Sequence, residues 1–171
     1  MSSAEITRWV VAALLTGVLA WAAVSDVRRR KIPNWTVLAV IALFLPWALT
    51  HTLTWALWAL AAGLIALLIS VGLYAAGIVG AGDSKLFAAA ALIAGIGDFG
   101  WLGLGTALAG GLVALVSIVS RPTRALVMVK LRGKGDFGRG IPYGVAIAAA
   151  SAALAWCAVL KIPVAGLLHG A

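Results

Sequence analysis

Residues 80–85 read Gly80-Ala81-Gly82-Asp83-Ser84-Lys85, a short break with long apolar sequence on both sides. The break sets a carboxylate where a helix enters an apolar phase. Taking an ionised carboxylate out of water carries a large free-energy penalty, so an acid in such a place points to a use. A second carboxylate, Asp26, stands at the end of the first apolar stretch. The reading of the chain turns on whether the two meet.

The surroundings of the break are apolar along the whole chain. Of 171 residues, 64% are hydrophobic and 11% charged, with a mean hydropathy of +1.11; a soluble domain is roughly half apolar and about a quarter charged. This predicts an all-α fold: a polytopic membrane helical bundle forming one domain over residues 1–171, not a globule with an anchor. Six spans are expected: Ile6 to Val24, Trp35 to Thr50, Thr54 to Val79, Asp83 to Gly97, Trp101 to Val119 and Ile141 to Leu160. A hydrocarbon core takes about 20 helical residues, so the second and fourth are short. The first is not expected to be a removable signal, because it runs nearly continuously and lacks a basic start. Gly63, Gly72, Gly95 and Gly110-Gly111 are expected to let helices approach closely.

The net charge is +8. In a soluble protein that balance suggests nucleic acid; here the cations lie between apolar blocks, so no nucleic-acid partner is expected and the charge reads as topology. All but Arg8 and Lys161 of the 13 basic residues follow the first, third or fifth span. That bias puts both chain ends outside and the three connections in the cytoplasm, in a cell inner membrane. Trp9, Trp21, Trp35, Trp47, Trp55 and Trp101 fall near span ends, where an aromatic belt would place them. The third connection, Arg121 to Gly140, is basic enough to meet anionic lipid headgroups. Within it, Thr123 to Leu131 is expected to form a short surface helix, and Asp136 to be a solvated loop charge.

The first connection, Ser25 to Asn34, is compact, and Pro33 suits a helix restarting at Asn34 or Trp35. Its arginines anchor topology. A surface ion pair to Arg29 or Arg30 is the structural alternative for Asp26. Capping backbone N–H groups is the alternative for Asp83. A cap, however, needs no paired glycines, and serine would serve without a charge.

Two carboxylates at one face of a bundle can share a proton. One then takes a proton from water while its partner donates to a substrate carbonyl oxygen, the chemistry of an aspartyl protease. No metal or cofactor is needed. The lone cysteine, Cys157, excludes an internal disulfide and a multi-cysteine zinc site. His51 and His169 fall on the opposite face, so neither a histidine metal site nor a base for Ser25 or Ser84 is expected beside the carboxylates.

Asp26, the basic run with Ile32-Pro33-Asn34, and then Gly80-Ala81-Gly82-Asp83-Ser84-Lys85-Leu86 resemble the two motif regions of prepilin peptidases, aspartyl proteases of the Gly-x-Gly-Asp type. Ile141-Pro142-Tyr143-Gly144 follows in the order of that family, so the resemblance covers most of the chain. It implies Asp26 and Asp83 as the catalytic pair, and a prepilin or pseudopilin precursor, cut on the cytoplasmic side just before its hydrophobic segment, as partner and substrate. The larger members carry an N-terminal cytoplasmic region with a cysteine cluster and also methylate the product. With only Cys157 and little sequence before Ile6, methylation is not expected, and the chain is similar to the short peptidases of tight-adherence pilus systems.

Two other functions compete. A small proton- or cation-coupled transporter would place its carboxylates near the midplane between repeats, whereas these sit at one surface and no internal repeat is visible. A non-catalytic pilus-assembly protein would tolerate loss of either aspartate. The charge bias gives a first testable outcome. After replacement of Cys157, the variants Lys31→Cys, Lys85→Cys and Lys134→Cys should resist a membrane-impermeant thiol reagent in intact cells and react in inverted vesicles. Labelling of Lys85→Cys from outside would end the shared-face reading.

Overall fold

The computed structural model describes residues 2–120 and 143–162. Among the described residues there are five helices and no strand: α1 (Ser3–Arg29), α2 (Asn34–Ala48), α3 (Leu53–Ala75), α4 (Ala81–Ser120) and α5 (Tyr143–Val159). Three of them, α1, α3 and α4, are long and apolar enough to cross a membrane, while α2 and α5 are shorter apolar helices. The all-helical class is therefore as expected, and where six helices are expected five are counted among the described residues, because one of them runs on through a non-helical residue, Gly95. The expected fourth and fifth spans lie within the single 40-residue α4. The expected surface helix from Thr123 to Leu131, Asp136 and His169 lie outside the described residues.

Local chemistry explains the helix ends. At the start of α1, Ser2 and Glu5 form a reciprocal capping box. At its end, Arg30 takes the left-handed conformation (φ 53°) and returns its N–H to the Asp26 carbonyl at 2.9 Å. Pro33 then caps α2, its carbonyl taking the Thr36 hydroxyl at 2.7 Å. α3 stops at Ala75, short of the expected Val79, because Gly77 (φ 73°) turns the chain. The Gly77 N–H bonds Tyr74 O, and the Ile78 N–H bonds Leu73 O, at 2.9 Å each. That pair of bonds is a Schellman ending, and it prevails over an apolar run that continues to Val79.

α4 is broken at Gly95, with φ 70° and ψ 176°, a region open essentially to glycine alone. The break reverses the chain. Before it, the first turn of α4 lies beside the α1–α2 connection, where Gly82 meets Ile32; after it, Gly105 packs on Ala150 and Gly110 on Tyr143 at the start of α5. Phe87 and Phe99, one from each side of the break, sit with ring centroids 6.3 Å apart. Interrupting a helix frees carbonyls that must find donors in an apolar setting. The Trp47 indole N–H supplies one, donating to Ile93 O at 3.1 Å. Trp47 is only 1% exposed, which corrects its placement in an aromatic belt; Trp9, Trp21 and Trp35 are exposed.

α4 packs against α3, α5 and α2, and α1 packs against α5 and α2. The interior uses small side chains, with Ala12, Ala22, Ala59, Ala62, Ala66, Ala91 and Ala146 fully buried around Leu15, Leu19, Leu86 and Leu102. In a membrane, where lipid is as apolar as leucine, this close approach drives helix association. Gly63 and Gly110 serve that approach as expected, whereas Gly72 and Gly111 have no described neighbour within 4 Å of where a Cβ would lie. Outward-facing Leu38, Leu45, Leu68, Leu108 and Leu112 are exposed and form a surface suited to lipid.

A side chain at Gly95 meets both a strained backbone and the Trp55 indole, whose Cζ2 would lie 2.8 Å from the new Cβ. Gly95→Val should lower stability in detergent by about 2 kcal/mol or more, read as a lower midpoint of thermal unfolding. An unchanged midpoint would show that glycine is not what permits the reversal.

Candidate active site

Three helix ends converge at one end of the bundle: the last turn of α1 and the first turns of α4 and α5. Asp26 lies in the first of these and Asp83 in the second. Both are buried, at 7% and 9% exposure, and their charges are close enough to act directly on each other. The two carboxylates singled out in the sequence are thus brought together.

Each is held by a helix N-terminus. Asp26 Oδ2 accepts the Gly144 N–H at 2.9 Å in a buried hydrogen bond. Because α5 opens at Tyr143, this N–H is one of the first-turn donors with no partner inside its own helix, at the positive end of the helix dipole. The Arg30 guanidinium also acts electrostatically on Asp26. Asp83 takes the Gly80 N–H on its carboxylate. The capping alternative is therefore realised, but it occupies only part of the group: Asp83 Oδ1 is buried and accepts no hydrogen bond from the described residues.

The neighbouring serines fix the frame. Ser84 Oγ lies 3.1 Å from both Ser70 O and Gly80 O, and donating to them ties the start of α4 to α3. Ser25 Oγ donates to Lys31 O at 2.8 Å and closes the first connection onto α1. Neither Gly80 nor Gly82 has a positive φ; in this stretch that conformation belongs to Gly77. The motif glycines act by proximity. A Cβ on Gly80 would lie 2.9 Å from Asp83 Oδ2, and one on Gly82 would lie 3.2 Å from Ile32 Cβ. Lys85 is exposed.

Two contributors, Gly144 and Ile32, enter the sequence reading only as members of motif stretches, with no role of their own. Pro142 in the Ile141-Pro142-Tyr143-Gly144 stretch signals a helix start, and so a set of unpaired N–H donors, but only the tertiary fold aims one at Asp26. Ile32 carries no chemical signal of its own. Asp98, also unassigned, lies at the far end of the bundle, where it lines a cavity of about 60 Å³ with Trp47, His51, Trp55 and Ser151. Burial pushes the His51 imidazole below its ordinary value. It accompanies Arg8 and Thr50 at that far end, as the sequence reading placed it. Tyr143 rests against Gly110.

A sequence model of the Type IV leader peptidase family matches residues 13–169, a range that includes both aspartates and Gly144. The chain belongs to the Type IV leader peptidase family. Membership makes it a peptidase and implies pilin-like precursors as its substrates; with three helices of spanning length, this leader peptidase is a membrane protein. No curated protein and no solved structure matches the chain.

The Ser84 bonds give a check on the frame. Ser84→Ala should lower stability by about 0.5–1 kcal/mol, the usual worth of a side-chain hydrogen bond inside a membrane bundle, measured by unfolding in mixed micelles. An unchanged protein would show that apolar packing alone holds α4 on α3.

Proposed function

We propose that the protein is an aspartic-type endopeptidase that cuts the leader from prepilin or pseudopilin precursors at the cytoplasmic face of the inner membrane, with Asp26 and Asp83 as its reacting pair. The observation that carries this reading is the meeting of two buried, electrostatically coupled carboxylates at one end of the bundle of a leader-peptidase-family protein. The basic connection after α1 lies at the same end, which supports a cytoplasmic site. The reversal at Gly95 supports counting α4 as two crossings and the bundle as six.

Like charges at this range cannot both be ionised cheaply in a dry setting, so the pair holds one proton between its members. Asp26, which accepts the Gly144 N–H and faces Arg30, is the member suited to charge. Asp83 Oδ1, with no described donor, is the oxygen suited to the proton. Asp26 takes a proton from water as the water oxygen bonds to the carbonyl carbon of the scissile amide. Asp83 gives its proton to the carbonyl oxygen, and a tetrahedral gem-diol forms. Its collapse breaks the C–N bond, with the proton on Asp26 passing to the leaving amine and the gem-diol proton returning to Asp83. Atoms and protons balance without a metal or cofactor, and none is proposed.

Asp26→Asn and Asp83→Asn should each lower precursor cleavage by at least about 10²-fold while leaving an inserted bundle, since asparagine keeps size and some hydrogen bonding but cannot ionise. The double variant should be little worse than either single one, because the pair acts as a unit. The assay is the mobility shift of a co-expressed precursor at matched membrane abundance. Near-normal cleavage by either variant would end the proposal.

A further inference from the structure

Ile32 stands between two glycines, one in the first turn of each helix that presents part of the carboxylate site. A Cβ on Gly82 would lie 3.2 Å from Ile32 Cβ, and a Cβ on Gly144 would lie 3.0 Å from Ile32 Cδ1. The same added atom on Gly144 would lie 2.9 Å from Asp26 Oδ2 and 3.1 Å from Asp26 Cβ. The α4 backbone at Gly82, the Ile32 side chain, the α5 backbone at Gly144 and the Asp26 side chain therefore form a contiguous stack in which an added methyl group would sit closer than ordinary van der Waals contact. Gly82 directly precedes Asp83, and Gly144 is the donor to Asp26.

Ile32 is itself held on both sides. The carbonyl before it, on Lys31, takes the Ser25 hydroxyl. The residue after it is Pro33, which narrows the backbone choices of Ile32 and caps α2. A β-branched side chain adds a stiff χ1. A rigid apolar body on a pinned connection, filling the gap between two backbones, is what a spacer requires.

From this stack we infer that Ile32 is a positioning residue that sets the separation of Asp26 and Asp83 by holding the first turns of α4 and α5 at a fixed distance. The inference rests on the reading of those aspartates as the reacting pair. Ile32 takes no part in bond making; it acts through Gly82 on Asp83 and through Gly144 on Asp26. Displacing a catalytic group by about 1 Å costs on the order of 10²-fold in rate.

The test uses the full chain in nanodiscs with a pilin-like precursor, at matched folded protein. Ile32→Ala should lower kcat by about 10-fold or more with KM within about twofold, and Ile32→Val, which shortens the side chain by one carbon, should fall between it and the parent. Gly144→Ala should lower kcat as well, and adding Ile32→Val should recover part of the loss because valine lacks the Cδ1 atom that the new methyl would meet. A second readout does not need activity: in a chain with Cys157 replaced, the rate of thiol cross-linking between Asp26→Cys and Asp83→Cys should change several-fold when Ile32→Ala is added. Unchanged kcat in Ile32→Ala, or an unchanged cross-linking rate with activity falling only as folded protein falls, would overturn the spacer role. If Ile32→Ala does not insert, a kcat for Ile32→Val equal to the parent's would overturn it too. An active Asp26→Asn variant would instead sink the paired reading on which the inference stands.

Discussion

The hydrogen bond from the Gly144 N–H to Asp26 is the constraint around which the bundle is arranged. A carboxylate withdrawn from water at the end of an apolar helix needs fixed dipoles in place of hydration, and hydrogen bonds to a charged group are worth roughly 1.5–3 kcal/mol each. Helix N-termini are the sources available in a chain with so few polar side chains. α5 provides one for Asp26, and Gly80, the residue just before α4, provides one for Asp83. The bond to Asp83 is local, but the one to Asp26 requires the start of α5 to reach the end of α1. The heavy burial of α5, on which Gly144, Ala146, Ile147, Ala148, Ala150 and Ser151 are all buried, follows from that requirement. A helix whose first turn serves an interior group has to be interior itself, and its alanines let neighbours close around it.

The far end of the bundle solves the complementary problem of sending α4 back. A polar loop would do so in water, but here a single residue, Gly95, takes the whole change of direction, and the freed Ile93 carbonyl is met by the buried Trp47 indole. Trp55 lies over the glycine, where any larger residue would displace it. Backbone satisfaction and close packing are thus met by two tryptophans from flanking elements. Because Asp83 sits on the segment that begins at the other end, the reversal also fixes the direction from which it approaches Asp26.

This division explains what could be read from the sequence. The restart of helix at Asn34, the position of His51 away from the aspartates, and a polar pair at one end followed from proline chemistry, span order and charge. The reversal at Gly95 was less legible, since Gly97-Asp98-Phe99-Gly100 has loop composition yet is helical. Only φ and ψ at one glycine changed, and composition does not report that. The end of α3 was overrun because hydropathy continues to Val79, although Gly77 carried the correct stop signal. Trp47 passed for a belt residue because the carbonyl that needs it exists only once α2 meets the break in α4. Gly80 and Gly82 stand out in the sequence, but their manner of acting does not: they admit neighbours and do not adopt a positive φ.

The separation of the proposed reacting pair cannot be maintained by the pair. Two carboxylates that share one proton attract through that proton and repel without it, so their preferred distance changes with protonation. A spacing constant through a cycle of proton transfers has to come from contacts indifferent to charge. Ile32 supplies such contacts, and the compactness of the first connection follows. Arg30 accepts a left-handed conformation, which costs a non-glycine residue roughly 1–2 kcal/mol, and Pro33 restarts the helix without delay. So short a turn puts a single apolar side chain between Gly82 and Gly144 while leaving Arg28 and Arg29 exposed. The connection after α1 thus joins two tasks on adjacent residues, with Arg28 and Arg29 turned outward and exposed and Ile32 packed inward against the two helix starts.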